Sequence, residues 1–439
     1  MSGLAALTAT FGHTVLGSDC APTEDTVSLC RKMHVPLYFS HDAENVSGCD
    51  VFVYSAAIGE DNPELIFAKA HVPNVYTRSE YLGKITETYS ESVGVSGTHG
   101  KSTVTHMINA ILRQSGDTPT LLAGARAVDS EAFCAGDNKT VIYEACEYNR
   151  SFLDLKPKVS VILNVEREHV DTYPTLEDAE NAYLQFGKKS EKCILSYDNA
   201  VCRSLAEKLT ECGVKTFYFS LTDKNADAYA ENLRTANGRC TFDLRIGKDL
   251  TRNVSLSVIG IHNAANALAA ALTASVLGKN IDVIAEGLQS FKGIRRRFEY
   301  VGSVNGADVC DDYAHHPTEI RATLSAARSL GYKKVICAFQ PHTFSRTKEF
   351  FCEFTKAFEA CDEVIFADVY PAREKNVYGI SSKMLAEATK NGKYIPDFEI
   401  IAKELRQKAQ KGTLILTMGA GKMNEVAFSI TENGVKGKD

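Results

Sequence analysis

Short apolar, β-branched runs alternate along the chain with longer stretches whose apolar positions recur every three or four residues. That rhythm predicts strands and helices in turn. Ahead of residue 90 it predicts helices over Ser2–Thr10, Glu24–Met33 and Pro63–Ala70, and strands over Thr14–Ser18, Val51–Ser55 (read as buried) and Val75–Thr77. The chain opens on a helix, so either the sequence is incomplete or the first domain lacks the strand and glycine-rich turn that begin such an arrangement. Polar Thr86–Ser92 marks a boundary. Beyond it the pattern predicts strands over Val141–Ala145 and Val159–Val165, helices over Tyr183–Lys189, Asn199–Glu211 and Val258–Leu277, and a β-hairpin between Cys240 and Ser257. After Gly293 it predicts strands over Val309–Asp311, Lys334–Phe339, Glu363–Ala367 and Thr413–Thr417. Helices are predicted there over Pro317–Ser329 and Arg346–Ala360, with Gly419–Lys422 opening the last one. Such a βα rhythm implies parallel sheets with helices on both faces. The expected architecture is three α/β domains, over residues 1–88, 89–292 and 293–439.

The most informative stretch is Ser92–Thr103, Ser-Val-Gly-Val-Ser-Gly-Thr-His-Gly-Lys-Ser-Thr. Val93 and Val95 end a buried strand, and the apolar run Val104, Met107, Ile108, Ile111, Leu112 begins a helix. Between them Gly97 and Gly100 let backbone N–H groups close on an anion. Lys101 supplies charge for the β- and γ-phosphates, and Ser102 or Thr103 offers a hydroxyl to Mg²⁺. The strict phosphate-loop pattern would have a glycine where this chain has Val95.

Other candidate groups fall at the carboxyl ends of predicted strands, where open α/β sheets bind ligands. Glu144 and Glu147 follow one strand; Glu166, Glu168, His169 and Asp171 follow the next. Glu144 with His169 suits a Mg²⁺ shell completed by nucleotide phosphate, and a solvated acidic loop is the plainer alternative. Asn263 and Asn266 share one helix face and suit either an adenine or ribose contact or a helix cap. Gly17-Ser18-Asp19 and Ser55-Ala56-Ala57 are ligand-binding turns or ordinary ones. In the third domain Asp311-Asp312-Tyr313-Ala314-His315-His316-Pro317 and Gln340–Arg346 gather charge and imidazole at one sheet edge, which core packing does not explain.

Composition narrows the class. A net charge of −6 over 439 residues, with no basic tail or stripe, argues against a general nucleic-acid binder. The 13 cysteines are odd in number and contain no Cys-x-x-Cys pair, so they read as reduced core residues of a cytoplasmic protein rather than disulfides or a zinc site. No apolar run reaches transmembrane length.

Taken in order, Gly97–Thr103, Glu144–Phe152, Asn164–Tyr173, His262–Asn266, Arg296–Phe298, Asp311–Glu319 and Gln340–His342 resemble the Mur ligase family over nearly the whole chain. The resemblance implies an N-terminal Rossmann-like domain for a UDP-sugar, a central P-loop ATPase domain, and a C-terminal Rossmann-like domain that closes over ATP and receives an amino acid. It implies amide formation driven by ATP through an acyl phosphate. The alanine-adding branch fits best: L-alanine joined to UDP-N-acetylmuramate, in a cytoplasmic monomer or homodimer bound to neither nucleic acid nor membrane. A recycling ligase that adds a tripeptide, or a nucleotide binder without catalysis, are the alternatives.

By the same resemblance Gly97, Thr98, His99, Gly100, Lys101, Ser102 and Thr103 hold ATP, Lys101 at its β- and γ-phosphates. Ser102, Glu144 and His169 hold Mg²⁺; Asn263 and Asn266 touch the nucleotide; Arg297 meets the phosphates and Asp312 faces ATP. Tyr313, His342 and Arg346 form the alanine pocket, His99 sits beside the sugar carboxylate, and Gly17, Ser18, Asp19 and Ser55 approach the UDP part. The chain departs from the family in carrying Leu184 where some relatives have a modified lysine, and Thr343 where arginine is frequent.

Overall fold

The computed structural model describes residues 1–169, 172–247, 250–372 and 374–431, so Asp171 lies outside it. The chain forms two compact units. One comprises Met1–Glu231, Asp243–Val254 and Ala265–Phe291; the other comprises Asn232–Phe242, Ser255–Ala264 and the chain from Lys292 onward.

In the first unit the sheet is centred on Glu91–Ser96, which pairs in parallel with Thr140–Glu144 on one side and Val159–Ile162 on the other. Lys192–Ser196 and Lys215–Ser220 extend it past Val159–Ile162, and Thr120–Leu122 extends it past Thr140–Glu144. Val93, Val95, Ile142 and Val161 are wholly buried, as expected for strands covered on both faces. Gly94 permits this packing: a side chain there would meet Pro157 and Tyr143 at 3.1 and 3.2 Å. The helix Lys101–Gln114 presents Val104, Met107, Ile108, Ile111 and Leu112 to the core, the stripe that its 3.6-residue period predicts. Gly287, on the helix Ile281–Ser290, lets the Ile111 backbone approach; a Cβ there would lie 2.5 Å from the Ile111 Cα.

Ahead of this sheet stand the helices Ser2–Thr10, Glu24–Lys32, Pro63–His71 and Arg78–Thr86 and two parallel strand pairs, Gly17–Ser18 with Leu37–Tyr38 and Val51–Tyr54 with Asn74–Thr77. Val51–Tyr54 is exposed at Val51 and only partly covered beyond it, so the expectation of a buried strand fails. Leu4, Ala6 and Leu7 join Leu122 and Phe133 in one core.

The second unit carries a six-stranded sheet in the order Glu299–Val304, Ala307–Asp312, Thr413–Met418, Lys334–Phe339, Glu363–Phe366, Gly392–Tyr394. The first pair is antiparallel and the others parallel. Alternate residues of Lys334–Phe339 serve opposite faces: Val335, Cys337 and Phe339 join one core cluster, Ile336 and Ala338 another.

Several predicted boundaries move for identifiable reasons. The helix expected from Tyr183 begins at Leu176, where Thr175 and Asp178 form a reciprocal cap and the first turn is acidic rather than apolar. The helix expected from Val258 begins at Ile261, because Val258 and Ile259 finish the strand Leu250–Ile259 and Gly260, at φ 94°, turns the chain. The single helix expected over Arg346–Ala360 is two, Phe344–Glu349 and Phe351–Ala357, joined at Phe350. The last helix starts at Asn424 rather than on the Gly419–Lys422 turn. All thirteen cysteines are free.

Candidate active site

The strand Glu91–Ser96 delivers the chain into a loop whose glycines are obligatory. Gly97 sits at φ 141° and Gly100 at φ 90°, both in the left-handed region. A side chain on Gly97 would meet Leu163 Cβ at 3.0 Å, and one on Gly100 would meet Asn266 Oδ1 at 2.6 Å. The loop is pinned by Asn164. Its carbonyl accepts the Thr98 N–H at 3.1 Å, its side-chain oxygen accepts the His99 N–H at 2.8 Å, and its side-chain amide donates to the His99 carbonyl at 3.1 Å. The Thr98 hydroxyl accepts the Glu166 N–H at 2.9 Å, and His99 Nε2 lies 3.6 Å from the Glu166 carboxylate. Ser102 and Thr103 follow in the first, half-buried turn of the helix.

Lys101 folds back over this loop. Its Nζ donates to the Gly97 carbonyl at 2.5 Å and lies 3.0 and 2.9 Å from the two oxygens of Glu147. His169 Nε2 lies 3.5 Å from the same carboxylate, whose side chain is only 5% exposed. Burial works to raise the Glu147 carboxyl, but Lys101 and His169 outweigh it and hold the group below the ordinary carboxylate range. The backbone of His169 is itself left-handed, at φ 52°, with the Tyr148 ring 4.9 Å away. Glu144 accepts the Gly124 N–H through Oε1 at 2.5 Å, and a side chain on Gly124 would come to 3.1 Å from that carboxylate. The sequence pairs Glu144 with His169; the carboxylate that the structure sets against His169 and Lys101 is Glu147. Its position three residues past Glu144, just beyond the strand end, was the signal available.

The side chains of the first strand pairs are engaged internally. The Ser18 hydroxyl donates to the buried Glu64 carboxylate at 2.6 Å, which also receives Asn45 at 2.8 Å and lies 3.1 Å from His41. Gly17 pairs with Leu37; Asp19 accepts the Ala21 N–H at 2.9 Å and Ser55 accepts the Ala57 N–H at 3.2 Å, so both residues shape turns.

In the second unit, Asn263 donates to the Ile259 carbonyl at 2.7 Å. Asp312 ends its strand buried, accepting the Phe298 and Ala314 N–H groups at 2.7 Å each. Arg297 donates to Glu319 at 3.2 Å and lies over the Tyr313 ring at 5.4 Å. Glu319 accepts the His315 N–H at 3.1 Å, an anchor that the sequence motif contained but for which no role was assigned. Arg296 spans Asp311 at 3.0 Å and the Gly419 carbonyl at 2.8 Å. The rings of Tyr313, His315, His342 and Tyr370 follow one another at 5.3, 5.8 and 5.7 Å, and Arg346 Nη1 lies 2.9 Å from His342 Nδ1. Tyr313, His342 and Arg346 are thereby brought to one end of the sheet.

Burial pushes the Asp312 carboxyl up to about 6, against the opposing pull of Arg297. A folded-state value above the unfolded one means this group's contribution to stability is full below pH 3.8 and is lost as pH rises through about 6. Between pH 7.5 and 5 the wild type should gain on Asp312→Asn by roughly 1 kcal/mol of unfolding free energy. Paired urea titrations would read this, and parallel pH dependences would contradict it.

Three comparisons bear on this geometry. Residues 1–90 match the Mur ligase family catalytic domain, 95–274 the Mur ligase middle domain, and 296–421 the Mur ligase glutamate ligase domain. The protein of Caldicellulosiruptor saccharolyticus named UDP-N-acetylmuramate--L-alanine ligase is 40% identical over 97% of this chain and 94% of its own length. The protein of the same name from Acetivibrio thermocellus is 42% identical over 97% and 92%. Among solved structures, the UDP-N-acetylmuramate-alanine ligase of Thermotoga maritima superposes with a TM-score of 0.83 at 24% identity, over 100% of this chain and 97% of that one. A murein peptide ligase of Psychrobacter arcticus gives 0.71 at 22% identity, over 98% and 95%. With its three segments matched in succession and such identity sustained along nearly all its length, the chain belongs to the Mur ligase family.

Proposed function

We propose that the chain is an ATP-dependent ligase that joins L-alanine to the lactyl carboxylate of UDP-N-acetylmuramate, a step in building peptidoglycan precursors. The observation that carries the reading is Lys101, locked by Glu147 over a glycine-bounded helix start in a chain of this family. Phosphoryl transfer to a carboxylate gathers negative charge, so the protein's part is positioning and neutralisation. Gly97–Thr103 cradles the ATP phosphates, with the backbone N–H groups of the helix start at Gly100–Thr103 turned to them, Lys101 meets the β- and γ-phosphates, and Asn266, pressed against Gly100, borders the nucleotide. Arg297 adds a second positive charge and Asp312 faces ATP. Tyr313, His342 and Arg346 receive L-alanine, with Arg346 as partner of its carboxylate. His99 borders the sugar carboxylate, and the turns at Gly17–Asp19 and Ser55 border the UDP.

Magnesium suits the donors present. Glu144 accepts one N–H through Oε1, its second oxygen keeps its lone pairs, and Ser102 opens the helix beside the loop. Glu144, Ser102 and His169 would hold the ion, which supplies charge neutralisation at the phosphates. Replacing His169 by alanine should raise the magnesium concentration for half-maximal activity by about tenfold. An unchanged magnesium dependence would remove the ligand role. Among the described residues no helix is long and apolar enough to cross a membrane.

The decisive assay is phosphate release with ATP, Mg²⁺ and UDP-N-acetylmuramate, with and without L-alanine. Release that requires both acceptor and amino acid supports the reading. Release driven by a tripeptide in place of L-alanine would move the chain to the recycling branch, and ATP binding without release would leave it a nucleotide binder.

A further inference from the structure

Among the residues around the proposed alanine pocket, Thr343 has the least favourable backbone. It lies at φ 63°, ψ 147°, a region that essentially only glycine occupies, and it is β-branched. Such strain persists only where its surroundings over-determine it, and here they do. The Thr343 N–H donates to the Tyr370 carbonyl at 2.9 Å, and its hydroxyl accepts the Arg346 N–H at 3.4 Å. Its carbonyl accepts the Thr347 hydroxyl at 2.7 Å. The residue before it, His342, forms a parallel bridge with Tyr370 and stacks on that ring at 5.7 Å and 20°. The residue three beyond it, Arg346, brings Nη1 to 2.9 Å from His342 Nδ1.

One strained residue therefore joins a strand-end imidazole to a helical guanidinium and fixes the angle between them. In an ordinary extended or helical conformation at Thr343, the helix Phe344–Glu349 would leave the sheet in another direction and Arg346 would part from His342. We propose that Thr343 is a positioning residue for the amino-acid substrate, its left-handed backbone holding Arg346 against His342 in the orientation that receives the substrate carboxylate. This rests on the reading of Tyr313, His342 and Arg346 as the alanine pocket.

The test is Thr343→Gly, which removes the hydroxyl that accepts the Arg346 N–H and widens the range open to the backbone, while leaving His342 and Arg346 themselves unaltered. The KM for L-alanine should rise about tenfold, with kcat and the KM for ATP within twofold of wild type and the thermal midpoint not lowered. Thr343→Ser, which keeps the hydroxyl that accepts the Arg346 N–H, should stay near wild type. An unchanged alanine KM in Thr343→Gly would overturn the proposal, as would a uniform loss across kcat and every KM, the sign of a merely structural role. Arg346→Ala separates this from the underlying assignment. If it raises the alanine KM while Thr343→Gly does not, the positioning role alone fails; if neither changes it, the pocket itself is misplaced.

Discussion

Replacing Lys101 by alanine is expected to lower turnover by roughly 10³-fold while the protein remains folded. The activity loss follows from removing the ammonium proposed to meet the transferred phosphoryl group. The structure adds a cost elsewhere, because Lys101 also compensates Glu147, a carboxylate 5% exposed and 2.9 Å away. With Lys101 gone, burial and the remaining partner His169, at 3.5 Å, decide the state of Glu147. Leaving one member of such a pair buried costs about 3 kcal/mol. Lys101→Ala should therefore unfold earlier on heating than the wild type. The double variant Lys101→Ala, Glu147→Gln should recover most of that stability and none of the turnover. Phosphate release and thermal unfolding on the three proteins separate the two roles. Turnover within tenfold of wild type in the single variant would remove Lys101 from the phosphate site.

How far this site can be read from the chain depends on whether a residue's role is local. Gly97, Gly100 and Lys101 are legible because a strand, a tight turn and a helix start impose them in sequence, and the structure places all three accordingly. The buried strands at Val93, Val95 and Val335–Phe339 are legible for a similar reason, since both faces are covered and short apolar residues fill these positions. Glu147 is different. Its importance comes from Lys101 and His169, which arrive from other strand ends, and no periodicity records that meeting. Asn164 likewise matters through three bonds to a loop some 65 positions away in the chain. The strain at Thr343 and His169 is invisible to a reading that assigns β-branched and aromatic residues to ordinary regions. Helix starts at Leu176 and Ile261 were misplaced where a polar first turn or a strand's apolar end overrode the helical period.

Arg297 should be the residue of the second unit whose loss is felt most. Its guanidinium is partly exposed, donates to Glu319 at 3.2 Å, and lies over Tyr313 at 5.4 Å. Two carboxylates, Glu319 and Asp312, depend on that charge. Removing it withdraws a positive group from the proposed phosphate site and leaves Asp312 and Glu319 to their remaining partners, backbone N–H groups and, for Glu319, His315 at 3.3 Å. Arg297→Ala should therefore lower turnover about 10²-fold. Arg297→Lys should fall between, since it restores the charge without the planar fork. A second readout follows from the same electrostatics. Burial already lifts Asp312 to about 6, and Arg297 is the largest influence pulling it down. In Arg297→Ala the Asp312 carboxyl should therefore protonate at higher pH than in the wild type. Its loss of stability with rising pH then shifts upward by the same amount, and Arg297→Lys should restore most of it. Turnover near wild type, with an unmoved pH dependence, would separate Arg297 from both the phosphates and Asp312. A fall in turnover without the pH shift would leave only the phosphate contact standing.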